Sequence, residues 1–177
     1  MCSQDRLLWY NGTMNNTPDT LLVAQAQALC DTPHSLSAIC NILALIYWSA
    51  DSINWAGLYF TDPDGSLYLG PFVGKPACME IAAGTGVVGT CASRKEPLLV
   101  PDVHAFPGHI ACDSESRSEA VFPLMQDETV IAVLDIDCLQ TDGITPEQFR
   151  SFQTIAGLIA DLPAKEGNLR SGISSAD

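Results

Sequence analysis

The stretch Ser118-Glu119-Ala120-Val121-Phe122-Pro123-Leu124-Met125, Gln126-Asp127-Glu128, Thr129-Val130-Ile131-Ala132-Val133-Leu134-Asp135-Ile136-Asp137 reads as two strands about an acidic turn. Side chains alternate between the faces of a strand, so residues two apart share a side. Ala120, Phe122 and Leu124 then share a face with Val130, Ala132, Leu134 and Ile136, an apolar surface predicted to meet helices. The opposite face carries Glu119, Val121, Asp135 and Asp137. A three-residue loop centred on Asp127 predicts Glu119 opposite Asp135. Acids inside an otherwise apolar strand are costly to bury unless they are used.

Working outward, the runs Ile53 to Phe60 and Ser66 to Phe72 flank Asp62-Pro63-Asp64-Gly65, a strong turn signal. On the first run Trp55, Gly57 and Tyr59 share a face, opposed to Ala56, Leu58 and Phe60. A short strand is predicted near Cys78 to Ile81, a brief helix over Gly86 to Arg94 carrying Cys91, and a short strand over Leu98 to Val100. An early helix opens with Thr17 as N-cap and Pro18 at its first position. A second starts near Ser35, with Leu36, Ile39, Cys40, Leu43, Ile46 and Tyr47 on one face. Cys30 and Cys40 read as helix core, and His34 as a helix-start residue. The last helix is marked by Thr145 and Gln148 as a capping box, Pro146, and a face of Phe149, Phe152, Ala156 and Ile159. This order predicts an α+β domain, a central antiparallel sheet of about six strands with helices packed on one face. The expected organisation is an N-terminal arm over 1–16, one domain over 17–162 and a flexible tail over 163–177.

The chain has 177 residues, 47% of them hydrophobic, enough for one domain with a proper core. Its net charge of −13 repels phosphate backbones and anionic lipid, arguing against nucleic-acid or membrane partners. No basic segment precedes an apolar stretch at the N-terminus, so no export signal is read and a reducing, cytoplasmic setting is expected. Seven irregularly spaced cysteines argue against a structural disulfide framework.

One cysteine stands apart. Cys112 ends Gly108-His109-Ile110-Ala111-Cys112-Asp113, inside a long polar loop over 101–117, and a loop of that length in a compact domain is usually functional. Cys78, in Gly74-Lys75-Pro76-Ala77-Cys78, also sits in a short interrupted connection. Brought together, the two thiols can cycle between dithiol and disulfide. Two bland readings stand beside this one. Most free cysteines are small buried hydrophobes. Cys78, His104, His109 and Cys112 also hold zinc-compatible atoms, although no Cys-x-x-Cys or His-x-x-x-His pair supports a metal site.

Trp55-Ala56-Gly57-Leu58-Tyr59, Gly70-Pro71-Phe72, Gly74-Lys75, Ala77-Cys78, Asp102-Val103-His104, the 108–113 run, Ser118-Glu119 and Leu134-Asp135-Ile136-Asp137 closely resemble the free methionine-(R)-sulfoxide reductases, single-domain proteins of the GAF fold. The resemblance runs from about Asp51 to Leu162. It implies reduction of free methionine-(R)-sulfoxide with no metal or organic cofactor, recycled by a thioredoxin-type reductant, with a homodimer as a further expected partner. It identifies Cys112 with the catalytic cysteine, Cys78 with the resolving cysteine, and Trp55, Tyr59, Glu119, Asp135 and Asp137 with the substrate pocket. A protonated Glu119 or Asp137 would hydrogen-bond the sulfoxide oxygen and Asp135 the ammonium. Backbone amides at His109, Ile110 and Ala111 would take the carboxylate. The sequence departs from the family in one place. Val88 stands in Gly86-Val87-Val88-Gly89 where a further cysteine is usual, and Cys91 follows about one turn on. The rival reading is a non-catalytic GAF sensor for a small ligand.

Overall fold

The computed structural model describes residues 19–108 and 113–162, so the expectations for Thr17, Pro18, the arm, the tail and His109 to Cys112 lie outside the described residues. Six strands form one antiparallel sheet: β1 (Ile53–Thr61), β2 (Leu67–Gly74), β3 (Glu80–Ile81), β4 (Leu98–Val100), β5 (Ser118–Gln126) and β6 (Thr129–Cys138). Their order across the sheet is β3-β2-β1-β6-β5-β4. The helices are α1 (Asp19–Leu29), α2 (Ser35–Tyr47), α3 (Gly86–Arg94) and α4 (Pro146–Ala160). A 3-10 turn, Val103–Ala105, interrupts the long loop between β4 and β5. None of the described helices is long and apolar enough to cross a membrane.

The alternation read from the sequence separates two cores. Ala56, Leu58, Phe60, Ala120, Phe122, Leu124, Ala132, Leu134 and Ile136 form one face, packed on Leu22 and Ala26 of α1, Ile39, Ile42, Leu43 and Ile46 of α2, and Phe152, Ile155 and Ile159 of α4. These three helices form the expected layer. The short α3 lies on the opposite face, where Val87, Val88 and Cys91 join Trp55, Tyr59, Val121, Val130 and Val133. The expected capping box is complete: Thr145 Oγ1 accepts from the Gln148 amide at 3.2 Å and Gln148 Oε1 from the Thr145 amide at 2.8 Å.

Three details differ from expectation. Cys30 is buried, but Cys40 is exposed, because the buried stripe of α2 runs through Ile39, Ile42, Leu43 and Ile46 and leaves Cys40 and Leu36 outside it. Glu119 pairs with Asp137, not Asp135, which pairs with Val121. The turn closes at Gln126 and Thr129 with two residues between, one fewer than expected, and Asp127 takes a positive φ of 52°. A bulge then shifts the register, since Leu124 faces Ala132 while Met125 faces Val130. The extra residue, Ile131, turns Val130 to the α3 side, so Val130 leaves the apolar face assigned to it. Because the net slip is two residues, Glu119 still shares a face with both aspartates.

Candidate active site

On the α3 face the strand pairings align a row across the sheet. Gly74 faces Trp55, Trp55 faces Asp137, Asp137 faces Glu119, and Glu119 faces Val100. The next row holds Phe72, Gly57, Asp135 and Val121. Three carboxylates thus stand within two rungs of one another, beside an aromatic wall.

That wall exists because Gly57 has no side chain. A Cβ there would lie 2.3 Å from the Trp55 ring, so the indole lies across the glycine. It stacks on Phe72 at 5.6 Å and on Tyr59 at 5.9 Å. The polar tips of the two inner aromatics point at the connection after β2: Trp55 Nε1 donates to the Lys75 carbonyl and Tyr59 Oη to the Cys78 carbonyl, each at 3.1 Å. Cys78 itself is disulfide-bonded. Cys40, Cys91 and Cys138 are free thiols, and Cys30 Sγ donates to the Ala26 carbonyl at 3.3 Å.

Together these residues line a cleft bounded by Trp55, Tyr59, Lys75, Ala77, Val88 and the three acids. Glu119 and Asp135 are only 5% and 6% exposed. Burial is the main cause that holds the Glu119 carboxyl well above its ordinary range, followed by the charges of Asp135 and Asp137. A hydrogen bond between the Glu119 and Asp135 side chains raises the first and lowers the second, so Glu119 is the partner that keeps the proton. Asp135 is raised too, by burial first and then by Asp137, and its Oδ1 is buried with no hydrogen-bond partner among the described residues. Asp137 is pushed up to about 7 by burial and the Asp113 charge, with a Ser116 hydrogen bond acting in the other direction. The pocket therefore holds a Glu119–Asp135 pair with its proton on Glu119, an open oxygen on Asp135 and, in Asp137, an acid that titrates near neutrality.

The segment that follows Cys112 is fastened to this pocket by residues the sequence reading passed over. Asn54 Nδ2 donates to Ser116 Oγ at 3.0 Å and to Asp113 Oδ2 at 3.4 Å. Lys75 Nζ reaches Asp113 Oδ2 at 3.4 Å and also pairs with Glu115. The Glu115 amide donates to Asp113 Oδ1, and with Lys75 it holds the Asp113 carboxyl below its ordinary value. The Asp113-x-Glu115-Ser116 run directly after the loop thiol was the signal available for these contacts.

Of the residues expected in the site, Trp55, Tyr59, Glu119, Asp135 and Asp137 come together, with Cys78 at the rim. His109, Ile110, Ala111 and Cys112 lie outside the described residues. His104 sits on the 3-10 turn, with Arg117 Nη1 2.8 Å from its Nε2. Among the described residues no three His, Cys, Asp or Glu side chains are arranged to hold a metal ion. Cys91, on the sheet-facing side of α3, is fully buried, its thiol pushed up to about 12 by burial and by Asp135 and Glu119.

A GAF domain family model matches residues 20–161. The chain is 44% identical over 131 residues to the free methionine-R-sulfoxide reductase of Saccharomyces cerevisiae, covering 68% of this chain and 73% of that protein. It is 49% identical over 112 residues to the free methionine-R-sulfoxide reductase of Escherichia coli, covering 63% and 67%. The structure of fRMsr of Staphylococcus aureus in complex with substrate superposes with a TM-score of 0.77 at 41% identity, covering 85% of this chain and 99% of that one.

Proposed function

The chain belongs to the free methionine-R-sulfoxide reductase family of GAF domains, and from that membership we propose that it reduces free L-methionine-(R)-sulfoxide to methionine by thiol chemistry at Cys112. The observation that carries the reading is the row of buried acids beneath an aromatic wall, next to disulfide-bonded Cys78.

Cys112 thiolate attacks the sulfoxide sulfur while an acid protonates the oxygen. The oxygen ends on Cys112 as sulfenic acid and methionine leaves as the thioether. Cys78 thiolate then attacks the sulfenic sulfur, forming the disulfide and releasing water. A thioredoxin-type dithiol in a reducing cytoplasm returns both cysteines to thiols and is itself oxidised. Cys40, Cys91 and Cys138 are free, and Lys75 ties the Cys78 connection to the segment after Cys112, which supports Cys112 as the partner of Cys78.

Glu119, neutral by burial, exchanges its hydrogen bond to Asp135 for one to the sulfoxide oxygen when substrate binds, and the rise of Asp137 to about 7 keeps it available as a second proton source. The open Oδ1 of Asp135 suits the substrate ammonium. Trp55, Tyr59 and Phe72 offer the methyl group an apolar surface. The backbone at His109, Ile110 and Ala111 is assigned the carboxylate, as the family resemblance implies.

The test is thioredoxin turnover coupled to NADPH oxidation, with each epimer of free methionine sulfoxide supplied separately. Turnover of the R epimer and none of the S epimer is expected. Saturable binding of the R epimer without turnover would favour the sensor reading instead.

A further inference from the structure

Lys75 places one of the eight Lys and Arg side chains, in a chain of net charge −13, on a contact between two loops 40 residues apart in sequence, the same two that the proposed Cys78–Cys112 disulfide joins. Its ammonium pairs with Asp113 and Glu115, the first and third residues after Cys112. Its carbonyl accepts from Trp55 Nε1, and the preceding Gly74 turns the chain with a φ of 138°, where a Cβ would meet the Trp55 ring at 2.5 Å. The backbone at Lys75 is therefore pinned to the pocket wall while its side chain reaches across to the other loop. Three residues further on, the Cys78 carbonyl is held by Tyr59.

The side chain is 58% exposed and its partner Glu115 60%, so the contact adds little to the core, and exposed ion pairs contribute little to folding. What it controls is the distance between two loops. Resolution of a sulfenic acid by a second cysteine of the same chain depends on the effective concentration of that thiol, and so on how often the loops meet. An unneutralised Asp113 and Glu115 would also repel the acids below them, since the Asp113 charge already acts on Asp137.

We propose that Lys75 is a positioning residue for the second half of the reaction, an ionic bridge that holds the Cys78 connection against the segment following Cys112 and so sets the rate at which the disulfide closes. This rests on the thiol roles proposed above. Lys75 itself exchanges no proton or electron with the substrate: Cys78 sulfur bonds to Cys112 sulfur, and the sulfenic oxygen leaves as water.

The experiment mixes pre-reduced full-length protein with one equivalent of free methionine-(R)-sulfoxide, then follows methionine release and dimedone-trappable sulfenic acid. In Lys75→Met the sulfenic acid, scored per methionine released, should persist about fivefold longer than in wild type. Lys75→Arg, which retains the charge, should restore most of the closing rate. Wild type in about 1 M salt should approach Lys75→Met, because exposed pairs are screened. The double variant Asp113→Asn with Glu115→Gln removes the same pairs from the other side and should reproduce the delay, including where Lys75→Met folds poorly. Closure at the wild-type rate in both, at low salt, would overturn the proposal. Cys78→Ser serves as the control. If its sulfenic acid decays as in wild type, the thiol roles fail and the bridge with them; if it persists while Lys75→Met closes at the wild-type rate, the bridge alone fails.

Discussion

Glu119 and Asp135 share a hydrogen bond that needs one proton between them, and burial decides that the proton stays. A neutral acid is mimicked by its amide, which keeps a donor of similar shape. Glu119→Gln should therefore retain more single-turnover activity than Glu119→Ala, by about tenfold or more. Asp135→Asn should raise KM more than it lowers kcat, because the open oxygen acts in binding. Steady-state kinetics on the three variants check both. If Glu119→Gln and Glu119→Ala are equally impaired, Glu119 works as an anion. The thiols separate in the same assay. Cys112→Ser should release no methionine even once. Cys78→Ser should release about one per chain and then stall. Cys91 offers no rescue there, since its buried thiol is pushed up to about 12 and holds almost no thiolate at neutral pH. At this scale the acids and aromatics were legible because charge inside an apolar strand stands out. Asn54, Lys75 and Ser116 were not, since single polar residues in connecting segments carry no periodicity.

Trp55 owes its position to β1, where Gly57 leaves a gap that the indole fills. Gly57→Ala would drive a Cβ to 2.3 Å from that ring and 2.6 Å from the Phe72 Cβ. Rigid neighbours on both sides leave little room for relief, so a loss of about 1–3 kcal/mol is expected. Binding should suffer further as the aromatic wall tilts. Denaturant melts and tryptophan fluorescence on Gly57→Ala check the two effects. A variant with unchanged stability and KM would mean that the ring relocates freely. Strand extents were legible here through alternation, and the bounds of α3 and β4 match the sequence reading residue for residue. The turn length and the Ile131 bulge were not, because a turn is chosen by backbone angles that Gln126-Asp127-Glu128 does not dictate. Bulge and shorter turn each slip the register by one residue, and because the two slips add to two the acids stayed on the expected side although their partners changed. The side on which α3 packs was equally hidden, for a short helix of small residues shows no broad apolar stripe.

Three raised carboxyl groups in one domain tie its stability to pH. A folded value above the unfolded one means that the native state holds protons the unfolded chain releases. For Asp137 the interval runs from near 4 up to about 7. Through that interval stability falls as pH rises, and above it the loss is complete. Glu119 and Asp135, also raised well above their ordinary values by burial, contribute in the same direction. Thermal melts of the reduced protein should give a higher Tm at pH ~5 than at pH ~8, a difference on the order of 2–4 kcal/mol from Asp137 alone. Asp137→Asn should flatten the profile between them. A wild-type profile already flat across that range would mean that water reaches these acids. The acids lie on β6 and its neighbour β5, and β6 is paired on both sides near the middle of the sheet. Cys78 lies on a connecting segment at the cleft's edge. Amides beside Asp135 and Asp137 should accordingly be among the slowest in the molecule to exchange with deuterium, and those around Cys78 among the quickest. Under the proposed mechanism protons would be handled in the stillest part of the molecule and electrons would enter along its margin, so that a reductant could come and go without disturbing the acids' alignment.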